Sequence, residues 1–175
     1  MSRGYLHTCP PGTVLLAALL WAHSSGPAYG HAGDPPGKTT CSTCHSSFHL
    51  NSGDGSLSVD NVPGDYVPEE TYAVRVTLSG PGQSRWAFQL AVLGGDSQQA
   101  GVVVVTDATT QLSDGPGTKP DYVKHTSPGT CAGTNDGPVS WEFNWTAPAE
   151  AVGRVTFYTA SNAANNNGST EEGKR

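Results

Sequence analysis

The sequence predicts an all-β fold, an antiparallel immunoglobulin-like β-sandwich. Apolar and polar residues alternate in short segments, as they do on strands with one buried face. Turn residues separate these segments, since the 175-residue chain contains 22 glycines and 13 prolines. No segment has the apolar period of an amphipathic helix. Short strands at regular spacing, without helices, are typical of two packed sheets.

The predicted sandwich domain spans residues 56–161 and is followed by a polar flexible tail at 162–175. Its seven predicted strands are 56–61, 72–78, 86–93, 101–105, 122–126, 139–146 and 153–160. The unbroken apolar run at 102–105 predicts burial on both faces or a covered edge. Residues 107–121 form a long, turn-rich connection, and such loops are uncommon unless they are functional.

The N-terminus has the parts of a secretory signal peptide. Arg3 supplies a short basic start, residues 14–22 are apolar, and Ala28-Tyr29-Gly30 places small residues where a signal peptidase reads them. We therefore predict a signal peptide at 1–30 and an exported protein, periplasmic or extracellular at the cell surface, that begins at His31. No later apolar run approaches the roughly 20 residues that span a membrane.

Size and charge limit the classes of partner. Roughly 145 residues remain after the signal peptide, the size of one domain. The chain has nine basic and fifteen acidic residues, a net charge of −6, and loss of Arg3 makes it one unit more negative. An acidic surface argues against nucleic acid or anionic membranes as partners.

The pattern Cys-x-x-Cys-His at residues 41–45 marks the attachment of a c-type haem. Each thiol adds to one vinyl group of the porphyrin, and the adjoining imidazole is then placed under the iron. We therefore predict one covalent haem c, held by Cys41 and Cys44 with His45 as the proximal ligand. The arm that carries it, residues 31–55, is expected to be irregular, with one helical turn at most, because Gly and Pro interrupt it.

Four other interpretations of the two thiols stay open. The first is half of a zinc site, but no second Cys or His pair follows at the usual spacing. The second is a redox-active dithiol, but the strand-to-helix context of that motif is absent from the sequence pattern. The third is a plain disulfide, which an exported protein permits, and the fourth is chance occurrence of the pattern. If Cys41 and Cys44 hold haem, Cys131 is an odd thiol, free or paired to another molecule.

The second axial ligand is predicted to be a histidine. The only methionine is Met1, which leaves with the signal peptide, so His/Met ligation within one subunit is excluded. His49 lies too close in sequence to His45 to bind the opposite face of the iron, and His31 lies on an arm expected to be disordered. We predict His125 as the metal ligand opposite His45. Two imidazoles favour ferric iron, so the potential should lie below that of His/Met cytochromes.

Several further segments accompany the thiol motif: PPG at 35–37, YVPEETY at 66–72, WAFQL at 86–90, YVKHT at 122–126, FNWTAP at 143–148 and VTFY at 155–158. Together they resemble the bacterial Reelin-domain-like proteins known as choice-of-anchor V domains, over nearly all of the exported chain. The resemblance implies an exported Reelin-like β-sandwich, a haem motif ahead of the sandwich in many members, and a C-terminal anchor. It says little about biochemical activity.

The C-terminus departs from that family pattern. Family members commonly continue past the Asn-rich segment into one more strand and an anchor, whereas here Gly168 is followed by STEEGKR. We therefore expect the last strand and the anchor to be missing. The resulting open sheet edge is expected to pair with another chain.

These features predict an exported monohaem c-type cytochrome that transfers electrons to a redox partner or a larger cytochrome assembly. No Ser/His/Asp set or Gly-rich phosphate loop indicates an enzyme, although an open iron position for peroxide or small gases is a third hypothesis. The alternative is an extracellular adhesion or ligand-binding module in which Cys41 and Cys44 form a disulfide.

Overall fold

The computed structural model describes residues 24–113 and 119–168, which form a two-layer antiparallel β-sandwich. The predicted fold class is confirmed. Most of the predicted signal peptide (1–23), the tip of the long loop (114–118) and the end of the predicted tail (169–175) lie outside the described residues.

Eight strands occur in the described residues: β1 (Ser56–Asp60), β2 (Thr71–Ser79), β3 (Arg85–Gly94), β4 (Val102–Val105), β5 (Thr110–Ser113), β6 (Tyr122–His125), β7 (Val139–Thr146) and β8 (Val155–Ala164). One sheet has the order β1-β2-β7-β4 and the other β5-β6-β3-β8. Single 3₁₀ turns lie at Cys41–Thr43 and Pro128–Thr130. The first of them carries the predicted haem motif.

Three tryptophans fill the space between the sheets. Trp86, Trp141 and Trp145 are at most 1% exposed, and Trp141 stacks on Phe88 with ring centroids 4.5 Å apart. Each indole N–H donates to a backbone carbonyl of a connecting segment, at 3.0, 2.8 and 2.8 Å respectively. Since a buried indole N–H needs an acceptor, these bonds let the aromatic core form without an unsatisfied donor.

Three strand predictions need correction. The connection at 107–121 contains β5, whose single apolar residue, Leu112, gave little pattern to detect; backbone pairing with β6 forms this strand. The valine run at 102–105 is an edge strand, with Val102 57% and Val104 49% exposed. β-Branched residues favour strands on exposed surfaces too. The valine run therefore indicates a strand, but it does not indicate burial on both faces. The last strand extends to Ala164, into the predicted tail.

The central strand β3 is buried on both faces, although its alternation predicted one wet face. Gln89, Ala91 and Leu93 point away from the aromatic core and are at most 1% exposed. The N-terminal residues cover them: Ala32 is 1% exposed and packs with Ala91 and Leu93. The arm is irregular as predicted, but it forms part of the domain's packing.

Alanine substitutions at two left-handed glycines test how closely the residue before β4 approaches the end of β7. Gly101 has φ +79°, and a Cβ there would lie 2.2 Å from the Thr146 carbonyl oxygen; Gly153 has φ +75° with open space around it. Gly153→Ala should therefore lower the free energy of unfolding only by the left-handed backbone cost, about 1–2 kcal/mol. We expect Gly101→Ala to lower it more in urea unfolding. Equal losses in the two variants would contradict the close contact.

Candidate functional site

Local hydrogen bonds shape the turn that carries the two thiols. The Thr40 hydroxyl caps the 3₁₀ turn by accepting from the Ser42 N–H at 3.3 Å. The N–H groups of Cys44 and His45 both donate to the Cys41 carbonyl, at 3.2 and 2.9 Å. This reversal of the backbone brings Cys41 and His45 to the walls of the same two cavities.

The smaller cavity unites the predicted site residues. It has a volume of about 60 Å³ and is lined by Cys41, Cys44, His45 and His125, together with residues of the N-terminal segment, β3 and β8. His125 reaches it from β6, far along the chain. The structure therefore brings His125, predicted as the second ligand, to the cavity that the motif lines.

His125 is buried and held by the backbone of β3. It is 2% exposed. The β3–β6 ladder ends at the pair Gln89 and Lys124, and beyond it the Nδ1 atom of His125 lies 3.2 Å from both the N and the O of Phe88. In one tautomer the Phe88 N–H donates to Nδ1 and Nε2 is protonated; in the other, Nδ1–H donates to the Phe88 carbonyl and Nε2 carries the lone pair. This second arrangement is how metal-binding histidines are commonly oriented.

A larger cleft of about 610 Å³ lies on the other side of the motif. Cys41 and His45 form one wall, and residues 159–163 of β8 form another. Apolar side chains at its surface are well exposed, at 41% for Phe48, 60% for Leu50 and 38% for Leu57. Pockets for cofactors typically measure about 300–1,000 Å³, so this cleft has the volume for such a ligand, although Ser, Thr, Asn and Gly make up more than half of its lining.

All three described cysteines are free thiols, so the Cys41–Cys44 disulfide considered from the sequence is not formed in this structure. Burial raises the pKa of the Cys41 thiol to about 11, and the neighbouring Cys44 adds to the rise. Burial, with a smaller contribution from Asp107, also raises the pKa of Cys131. Cys131 lines neither cavity and packs against the aromatic core.

The other two histidines differ in position. His49 lines the large cleft but not the small cavity, whereas His31 lines the small cavity. The expectation that His31 is disordered is wrong in this structure, because its ring Nδ1 lies 3.1 Å from the carbonyl oxygens of Ala28 and Tyr29. The sequence reasoning also missed Gln89, whose only signal was an amide within an apolar strand.

Two features are absent from the described residues: a metal-binding group of side chains and a membrane-spanning helix. Across 24–113 and 119–168, no group of three or more His, Cys, Asp and Glu side chains is arranged to hold a metal ion. In the same part of the chain, no helix is long and apolar enough to cross a membrane.

No protein-family model matches the chain, and no curated protein matches it. Solved structures with a similar fold include the Reelin-N domain of F-spondin, 23% identical, where the match covers 70% of this chain and 81% of that one at a TM-score of 0.44. The human F-spondin reeler domain (fragment 1) is 24% identical, covering 72% and 87%, at 0.43. The sixth cohesin of scaffoldin B from Acetivibrio cellulolyticus, solved with a dockerin, is 17% identical, covering 65% and 86%, at 0.39. Identities and TM-scores this low carry no conclusion about function.

The two motif thiols should differ in reactivity before any cofactor is attached. The thiolate is the reactive form, and a pKa of about 11 leaves little Cys41 thiolate at pH 8, whereas Cys44 is exposed. We expect iodoacetamide to label Cys44 first in the folded protein, with Cys41 labelling rising towards pH 11, as read by peptide mass spectrometry. Labelling in urea is the control, since unfolding should equalise the rates. Equal rates in the native protein would contradict the burial of Cys41.

Proposed function

We propose that this protein binds one haem c covalently through Cys41 and Cys44, with His45 and His125 as axial ligands, and transfers electrons outside the cytoplasm. The observation that carries the proposal is the shared cavity: the motif and a buried, backbone-held histidine from a distant strand line the same small space.

Some of the residues present fit a haem as they stand, whereas one of them requires the chain to move. The thiols are free to react, and the 610 Å³ cleft beside Cys41 and His45 has room for a large flat ligand, with Phe48, Leu50 and Leu57 as apolar contacts in a mostly polar lining. The smaller cavity, at about 60 Å³, is far below the roughly 300–1,000 Å³ of a typical cofactor pocket. Ligation by His125 therefore requires the motif turn to move away from β3 and β6. Ligation by His45 alone does not.

A bound haem supplies one-electron chemistry at its iron, and the chain supplies the environment. The Phe88 backbone fixes the ring of His125, and Phe48, Leu50 and Leu57 supply apolar surface in the cleft. Burial disfavours the more highly charged ferric form and raises the potential, which opposes the effect of two imidazole ligands. The net charge of −6 suits a redox partner with a basic docking surface.

Covalent attachment is tested by expression in a host with c-type haem maturation machinery. We expect the exported protein to carry the mass of one haem and to give the absorption spectrum of a reduced c-type haem. Cys41→Ser and Cys44→Ser should each lose one thioether bond, and the double variant should lose covalent haem altogether. Cys131→Ser is the matched control and should keep the full haem. A wild-type protein without attached haem would sink the proposal.

Axial ligation is tested by His125→Ala, with His49→Ala as the control. Loss of His125 should convert the ferric haem from low spin to high spin while attachment is retained, as seen by absorption and EPR spectra. Because His125 is buried, His125→Gln provides a variant of similar size, and circular dichroism checks that both variants fold. An unchanged low-spin spectrum in folded variants would exclude His125 and leave His31 or another chain as the ligand.

A second candidate function is an exported adhesion or ligand-binding module without haem. The observation that favours it is the edge strand β4, where Val102 and Val104 are 57% and 49% exposed. Exposed apolar edge strands are sites at which another chain adds by backbone pairing. The two candidates separate by mass, because only the first predicts covalently held haem in protein made with the maturation machinery.

A further inference from the structure

The residues just before the predicted start of the exported chain are part of the sandwich. Residues 25–31, here called the strap, lie against the sheet that contains β3 and β6. Tyr29 packs edge-on against Tyr122 with ring centroids 4.6 Å apart. The carbonyl of Pro27 accepts from the Lys124 ammonium at 2.9 Å, and that of Ser25 accepts from the side-chain amide of Gln111.

The buried amide of Gln89 depends on the strap at both ends. Its Nε2 donates to the Ala28 carbonyl at 2.9 Å, and its Oε1 accepts from the His31 N–H. Gln89 has no exposed surface. If the chain began at His31, the Ala28 acceptor would be lost. The His31 N–H that now donates to Gln89 would also become part of a charged N-terminal amine. Without the strap, Gln89 would lose both its Ala28 partner and the cover that now leaves it with no exposed surface.

The strap is also shaped to fit its place. Gly26 is buried with φ +108°, and a Cβ there would lie 2.7 Å from the His125 carbonyl oxygen. Only glycine allows both this backbone conformation and this close approach. Pro27 and Ala28 then form part of the wall of the cavity that His125 and the motif line. Residues that a protease discards need no such fit to the folded domain.

We propose that signal peptidase cuts the peptide bond between Ser24 and Ser25, so that the strap stays in the mature protein. Water adds across that bond, leaving a carboxylate on Ser24 and an amine on Ser25. The sequence allows this cut, since Ala22 and Ser24 place small residues at the two positions the peptidase reads, directly after the apolar run. The cut predicted after Gly30 uses the same rule but removes groups on which the fold depends.

Retention of the strap does not depend on the proposed haem function. A retained strap completes the packing of β3 whether or not a cofactor is bound. N-terminal sequencing reads the first residue in either case, so failure of the haem proposal and failure of this one are separate results.

The test is export of the full chain in a bacterial host, followed by N-terminal sequencing and intact mass of the released protein. We expect a start at Ser25; any other start overturns the proposal. Two matched variants locate the cut, because asparagine is not small enough for the peptidase. Ser24→Asn should block or shift processing, whereas Gly30→Asn should leave the start at Ser25. Asparagine also tolerates the left-handed backbone of Gly30, whose φ is +80°.

A second measurement tests the role of the strap in the fold. A foreign signal peptide is fused directly before Ser25 in one version of the chain and directly before His31 in another. We expect the version without the strap to unfold at a lower temperature, and to give faster hydrogen exchange in β3. Equal melting temperatures and equal exchange would overturn the structural role on which the cleavage proposal depends.

Discussion

Two-sided burial of β3 is the constraint on which the rest of this structure depends. One face of the strand meets the tryptophans of the opposite sheet, and the other is covered by the N-terminal segment. That covering brings the thiol motif close to the end of β6. Without it, Gln89 and Leu93 would face solvent on an outer sheet surface. The candidate site is therefore a product of how the N-terminal segment packs, and not of a separate cofactor domain.

The sequence pattern predicted the β-sandwich correctly, and the reason is physical. Alternation on β2 and β7 reflects the fact that one face of each strand is buried and the other is wet. The pattern did not predict β5, and it did not predict burial of the outer face of β3. Backbone pairing forms β5, and a backbone hydrogen bond has no side-chain pattern. The outer face of β3 is buried by a segment distant in sequence, and no local pattern shows what will cover a strand.

The site shows the same division. Cys41, Cys44 and His45 are recognisable because the haem-attachment pattern has a fixed spacing; attachment to this chain stays a prediction. His125 was predicted as a ligand by elimination among few histidines; the structure places it at the cavity that the motif lines, and its ligation of iron stays a prediction. The contact between its Nδ1 and the Phe88 backbone was not foreseeable, because it depends on where the β3–β6 ladder ends. The role of Gln89 depends in the same way on a partner 58 residues away.

The indole bonds of the core tie its interior to its connecting segments. Trp86, Trp141 and Trp145 each hold a carbonyl that lies outside the strands, at Thr134, Gly129 and Ala100. A segment that is anchored to a core side chain cannot open without disturbing that side chain's packing. Opening of these segments is therefore coupled to loss of the core, and belongs to the high-energy end of the protein's local unfolding. The motif turn is held by no indole in the described residues, so it can open without disturbing the tryptophans.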